Sequence, residues 1–138
     1  MTRIHRLALC TALVLAGAGL AAPTLAATPE DLLAAYSKQA GTQPSAERGE
    51  RFFKSVHPGG GFGWSCATCH GFPPTKKGKN ELSDKAIAPL APAFNPERFV
   101  DRAKTDGWFR NNCKDVVGRD CSAAEKADVL AWLLTLKP

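Results

Sequence analysis

Cys66, Cys69 and His70 stand together in the stretch SCATCHG, Ser65 to Gly71. Two cysteines separated by two residues, with a histidine directly after the second, form the C-x-x-C-H pattern of covalent haem attachment. Each thiol would add across one vinyl group of the porphyrin, and the His70 imidazole would take one axial position on the iron. The opposite position then needs its own donor. Methionine commonly fills it in electron carriers, yet Met1 is the only methionine of the chain.

Other chemistries use the same cysteine spacing. A zinc ribbon pairs two C-x-x-C units, whereas the remaining pair, Cys113 and Cys121, is spaced C-x7-C, a poor fit to a zinc knuckle. A thioredoxin-like motif needs a βαβ setting, and no segment shows sustained strand alternation. The compartment also favours haem. Arg3 and Arg6 precede an uncharged apolar run from Leu7 to Leu20, and Thr24-Leu25-Ala26 supplies a small-x-small cleavage pattern, so residues 1–26 read as a secretory signal peptide. The run is short against the about 20 residues of a spanning helix and breaks at Pro23. Leu9 ahead of Cys10 is too large for a lipoprotein signal. Cleavage after Ala26, or one residue later, predicts a soluble periplasmic protein with no stable membrane insertion.

The expected mature chain, 27–138, has 112 residues, enough for one small domain. Its 16 basic and 13 acidic side chains leave a net charge of +3, too mild a balance to suggest nucleic acid. Four cysteines remain. With Cys66 and Cys69 bound to haem, Cys113 and Cys121 are left as a natural disulfide in an oxidising compartment.

Caps and periodicity place the elements around the motif, and all are helical. Thr28, Pro29, Glu30 and Asp31 open a first helix that Gly41 stops. Ser45 caps a second, SAERGERFFKS, with Phe52 and Phe53 inward. His57 to Ser65 is a glycine-rich loop, and Pro73 to Glu81 a polar one. A third helix is predicted from Asn95-Pro96-Glu97 and carries Phe99; a fourth covers Asp101 to about Asn112, with Trp108 and Phe109 inward. Ser122 to Glu125 is a capping box that opens the last, which runs to the end of the chain. The fold class is all-α, with the porphyrin forming much of the core of so short a chain.

Gly49 and Phe53, four residues apart ahead of C-x-x-C-H, and a terminal aromatic helix DVLAWLL with Trp132, resemble the class I c-type cytochromes over nearly the whole mature chain. The resemblance implies that the helix carrying Gly49 and the last helix cross at that glycine. A glycine there costs up to about 1 kcal/mol of helix propensity, which close backbone approach would explain.

For the distal position, the residues leave several candidates. His57 lies nine residues before Cys66 on a loop tethered to the proximal side in this fold. Lys76, Lys77 and Lys79 read as a solvated loop or docking patch. Asn111 and Asn112 close the predicted fourth helix, where capping is the ordinary role. A narrower resemblance bears on the choice. IAPLAP (Ile87 to Pro92), NPERFVD, WFRNNC, VVGRDC and EKADVLAWL are similar to the sphaeroides haem protein (SHP) family, small monohaem cytochromes with an asparagine sixth ligand beside a disulfide. It implies His70 and Asn112 as the axial pair and a Cys113–Cys121 bridge. It also implies high-spin iron, release of the asparagine on reduction, and an open site for O2, NO or similar ligands. Redox partners such as a dihaem cytochrome c or a membrane cytochrome b are implied in the same way.

Two functions follow: a periplasmic single-electron carrier, and a haem protein that binds or turns over O2, NO or peroxide. No pair of residues resembles a peroxidase acid/base couple, since His57 is the only spare histidine of the expected mature chain. The reading is therefore a cytochrome with one covalent haem c and a labile distal ligand. A carrier with His or Lys as sixth ligand, or a haem enzyme, is the alternative.

Overall fold

The computed structural model describes residues 27–138, so the expected signal peptide lies outside the described residues. Its helices start where short side chains can satisfy the free amides of a first turn. Helix α1 (Pro29–Ala40) is capped by Thr28, whose hydroxyl accepts from the Asp31 amide while the Asp31 carboxylate accepts from the Thr28 amide. Helix α2 (Ala46–Lys54) is capped by Ser45. Helix α3 (Cys66–His70) is a single turn carrying the motif. The long helix α4 (Arg102–Val117) is capped by Asp101, and α5 (Ala123–Leu133) by the Ser122/Glu125 box.

Both α1 and α2 pack on α5. The core they enclose is built from Leu32, Tyr36, Phe53, Leu130 and Leu133, all essentially inaccessible. At the α2–α5 crossing a Cβ on Gly49 would lie 1.9 Å from the Asp128 carbonyl oxygen, so only glycine lets the two backbones meet. Asp128, itself buried, closes the same crossing. Its carboxylate accepts from Arg48 Nε (2.7 Å) and Nη2 (2.8 Å) and from the Ser45 amide (2.6 Å). Among the described residues no helix is long and apolar enough to cross a membrane.

The structure departs from the sequence expectation at five points. No third helix forms at Asn95-Pro96-Glu97. A 3-10 turn spans Pro92–Phe94, Asn95 turns the chain by accepting from the Glu97 amide, and Phe99 sits at φ +62, which stops propagation. The fourth helix continues past Asn112 to Val117, where Gly118 at φ +80 ends it. Trp108 is 46% exposed instead of inward, while Phe109 does pack on the core. The polar loop folds back as a two-stranded antiparallel ladder, β1 (Gly78–Lys79) with β2 (Ala86–Ile87). The last helix stops at Leu133, short of the end of the chain.

Candidate functional site: a haem cavity between the attachment turn and helix α4

Helix α3 presents Cys66, Cys69 and His70 to a cavity of about 520 Å³. Ser65 opens that turn, its amide donating to the Thr68 hydroxyl at 3.1 Å. Hairpin strand β1 closes over the turn. A Cβ on Gly78 would meet the Cys69 carbonyl oxygen at 2.1 Å and His70 Cα at 2.9 Å, so the attachment turn is held by direct backbone contact. Nothing in the lysine-rich run around Gly78 announces that contact in the sequence.

His70 is tuned towards a neutral imidazole. Burial, and then the nearby positive charge of Arg98, lower its pKa to about 4. Its Nδ1 is buried without a hydrogen-bond partner among the described residues, an unusual state for a polar atom in a folded protein. The Phe53 ring lies 6.2 Å away. Cys66 and Cys69 are both free thiols, and burial pushes Cys66 up to about 11. Neutral imidazole is the form that binds iron, and unpaired thiols are what vinyl addition consumes. The large, mostly apolar cavity suits a flat porphyrin. The donor set and its surroundings fit a c-type haem.

Helix α4 forms another wall of the cavity. Trp108 and Asn112, one turn apart, both line the cavity, whereas Asn111 does not. The Asn112 side chain makes no hydrogen bond among the described residues, and it is exposed. Cys113 is bonded to Cys121, with sulfurs 1.95 Å apart, which leaves zinc no second cysteine pair. His57 does not reach the cavity. Its Nε2 pairs with the Phe52 carbonyl at 2.9 Å and its ring packs on Phe52 at 4.7 Å. Lys76, Lys77 and Lys79 also lie outside it, and Lys79 pairs with Asp84 at 2.8 Å.

Arg98 is a cavity residue that sequence reasoning missed. It donates from Nε to the Pro89 carbonyl (3.1 Å) and from Nη2 to the Ala88 carbonyl (3.0 Å), and lies 5.2 Å from the Trp108 ring centre. Burial lowers its pKa. A lone arginine in NPERF carries no spacing signal that could have marked it.

The comparisons with known proteins show the family. Residues 39–133 match the family described as Domain of unknown function (DUF1924). The chain is 47% identical over 121 residues to the cytochrome c-type protein SHP of Cereibacter sphaeroides, covering 87% of this chain and 91% of that one. This chain belongs to the SHP-like monohaem cytochromes c. As in that family, it carries one covalently bound haem c. Cytochrome c'' of Methylophilus methylotrophus is 42% identical over 93 residues, 67% of this chain and 65% of that one. Among solved structures, oxidised SHP, described as an oxygen-binding cytochrome c, superimposes with a TM-score of 0.70 at 42% identity over 80% of this chain and 98% of that one. Oxidised cytochrome c'' gives 0.70 at 36% identity, over 80% and 95%. The all-α cytochrome c fold expected from the sequence is thereby established.

Proposed function

We propose that this protein is an exported monohaem cytochrome c that carries single electrons and whose distal ligand, Asn112, leaves the ferrous iron open to O2, NO or similar small molecules. The observation that carries the reading is the company Asn112 keeps. It shares the haem cavity with His70 and adjoins the disulfide, while Asn111, His57, Lys76, Lys77 and Lys79 stay outside it; Lys85 and Lys104 are the lysines that border it. Cys66 and Cys69 would hold the porphyrin through thioethers, His70 would bind the iron from the proximal side, and the Asn112 amide oxygen would be the sixth donor.

The haem supplies one-electron Fe(III)/Fe(II) chemistry and a coordination site for diatomic ligands. The protein decides when that site is open. A neutral amide oxygen is a hard, weak donor that suits Fe(III), so its hold weakens on reduction. The Cys113–Cys121 bond would fix the backbone beside Asn112. Oxygen binding in the solved SHP relative supports the same use here. So does the solution study of cytochrome c'', which concerns detachment of a haem ligand. The basic start, apolar run and Ala26 cleavage pattern support export to the periplasm and a mature domain over 27–138. A dihaem cytochrome c or a membrane cytochrome b is the expected class of redox partner.

Optical spectra of oxidised and reduced protein, with and without CO, test the reading. The ferric form should be high-spin or mixed, and the ferrous form should bind CO rapidly. Asn112→Ala should keep the haem and open the ferric site to azide or imidazole, whereas Asn111→Ala should leave the iron spectrum unchanged. A low-spin ferric protein indifferent to CO, with Asn112→Ala spectrally silent, would overturn the distal assignment and favour a plain carrier.

A further inference from the structure

The loop from His57 to Trp64 supplies no ligand, but its backbone meets the C-terminal end of α4 at three points. A Cβ on Gly59 would lie 2.5 Å from the Val117 carbonyl oxygen. One on Gly60 would lie 2.3 Å from the Asp115 oxygen and 2.4 Å from that of Val116. In return, a Cβ on Gly118 would lie 2.0 Å from the Gly59 oxygen. These are the last carbonyls of the helix, which have no partner within it. The loop is itself anchored. The His57 amide donates to the Trp64 carbonyl at 2.9 Å, and the His57 ring is fixed on Phe52 at the end of α2. Trp64 leads directly into the haem-attachment turn.

We infer that the turn Pro58–Gly60 is a second clamp on α4, acting together with the disulfide to position Asn112 over the haem, with Gly59 and Gly60 as the positioning residues. Asn112 lies three residues before Asp115 on the same rigid helix. A side chain at Gly60 must push carbonyls of the adjoining turn by about an ångström to reach ordinary contact, and the helix carries that movement to Asn112. The clamp also explains how the proximal and distal sides are kept in register. One short loop touches α2, the attachment turn and α4 together. The inference rests on Asn112 as the distal ligand.

The loop contains its own controls. Gly61 (φ +79) and Gly63 (φ +65) have nothing within 4 Å of an added Cβ. Alanine there strains the loop backbone without pressing on α4. The haem-loaded protein and its Gly60→Ala, Gly59→Ala, Gly61→Ala and Asn112→Ala variants would be compared by ferric spectrum, azide affinity, thermal midpoint and amide exchange over 112–117. Gly60→Ala should bind azide several-fold tighter than wild type, approaching Asn112→Ala, with faster exchange at the end of α4. Gly61→Ala should lower the thermal midpoint and leave spectrum and azide affinity at wild-type values; Gly59→Ala, with a single approach under 3 Å, should fall between them. Gly60→Ala and Gly61→Ala matching each other in azide affinity, while Asn112→Ala differs from wild type, would overturn the clamp and spare the ligand. A silent Asn112→Ala would instead overturn the distal assignment, and with it the purpose given to the clamp.

Discussion

Replacing Gly49 by alanine sets two effects of opposite sign against each other. On an isolated helix the change gains up to about 1 kcal/mol of propensity. In the folded protein the new methyl would lie 1.9 Å from the Asp128 carbonyl oxygen, 2.3 Å from its carbon and 2.7 Å from the Val129 nitrogen. All three are backbone atoms of α5, so no rotamer change relieves the overlap, and the helices must part by more than an ångström. Overpacking of this kind costs about 1–3 kcal/mol, sometimes more. The parting also stretches the bonds from Ser45 and Arg48 to the buried Asp128 carboxylate, each worth about 1.5–3 kcal/mol. The clash should win, with a net loss of about 2 kcal/mol and, for a domain of this size, a thermal midpoint lower by about 6–12 °C. Scanning calorimetry of the haem-loaded protein measures it. Gly107 on α4 provides the contrast, because nothing among the described residues lies within 4 Å of its added Cβ. Gly107→Ala should raise stability by about 0.5–1 kcal/mol. A Gly49→Ala protein as stable as wild type would refute the argument that backbone contact selects glycine at this crossing.

Replacing both Cys66 and Cys69 by alanine should leave haem extractable by acid acetone and little folded protein, which a denaturing gel stained for haem and a circular dichroism spectrum would show. Cys113→Ser with Cys121→Ser should lower stability by about 2.5 kcal/mol on the chain-entropy account of a short loop, and the ferric spectrum should change as well; a denaturant titration and one spectrum check both parts. Glu125 is held below the usual carboxylate range by the Arg119 guanidinium, at 2.6 and 2.8 Å, which together with the Ser122 bonds outweighs the burial that opposes it. Its stabilising contribution is therefore present above its unfolded-state pKa and is lost as pH falls through the lower folded value. Glu125→Gln should show a shallower loss of stability between about pH 5 and pH 3 than wild type, read from thermal midpoints across that range.

The parts of this protein that the sequence determined are those settled between near neighbours in the chain. Thr28 with Asp31 and Ser122 with Glu125 cap helices because the partners lie three residues apart, within reach whatever the rest of the fold does. Cys66, Cys69 and His70 belong to one turn for the same reason. Gly49 was legible because a glycine inside an otherwise good helix needs a cause. The choice of Asn112 over Asn111 came from family resemblance, since adjacent residues on a helix differ by about 100° in direction and only packing fixes which one faces inward. Tertiary structure decided that Asn112 and Trp108 border the cavity from the exposed side of α4 while Asn111 does not. It also carried that helix on to Val117, where the Pro58–Gly60 turn meets its last carbonyls. Arg98, Gly60 and Gly78 were silent in the sequence because their partners lie far along the chain or have only a backbone atom to offer. A contact between main chains leaves no side-chain pattern to read, and where the two segments meet is fixed only when the whole chain has folded.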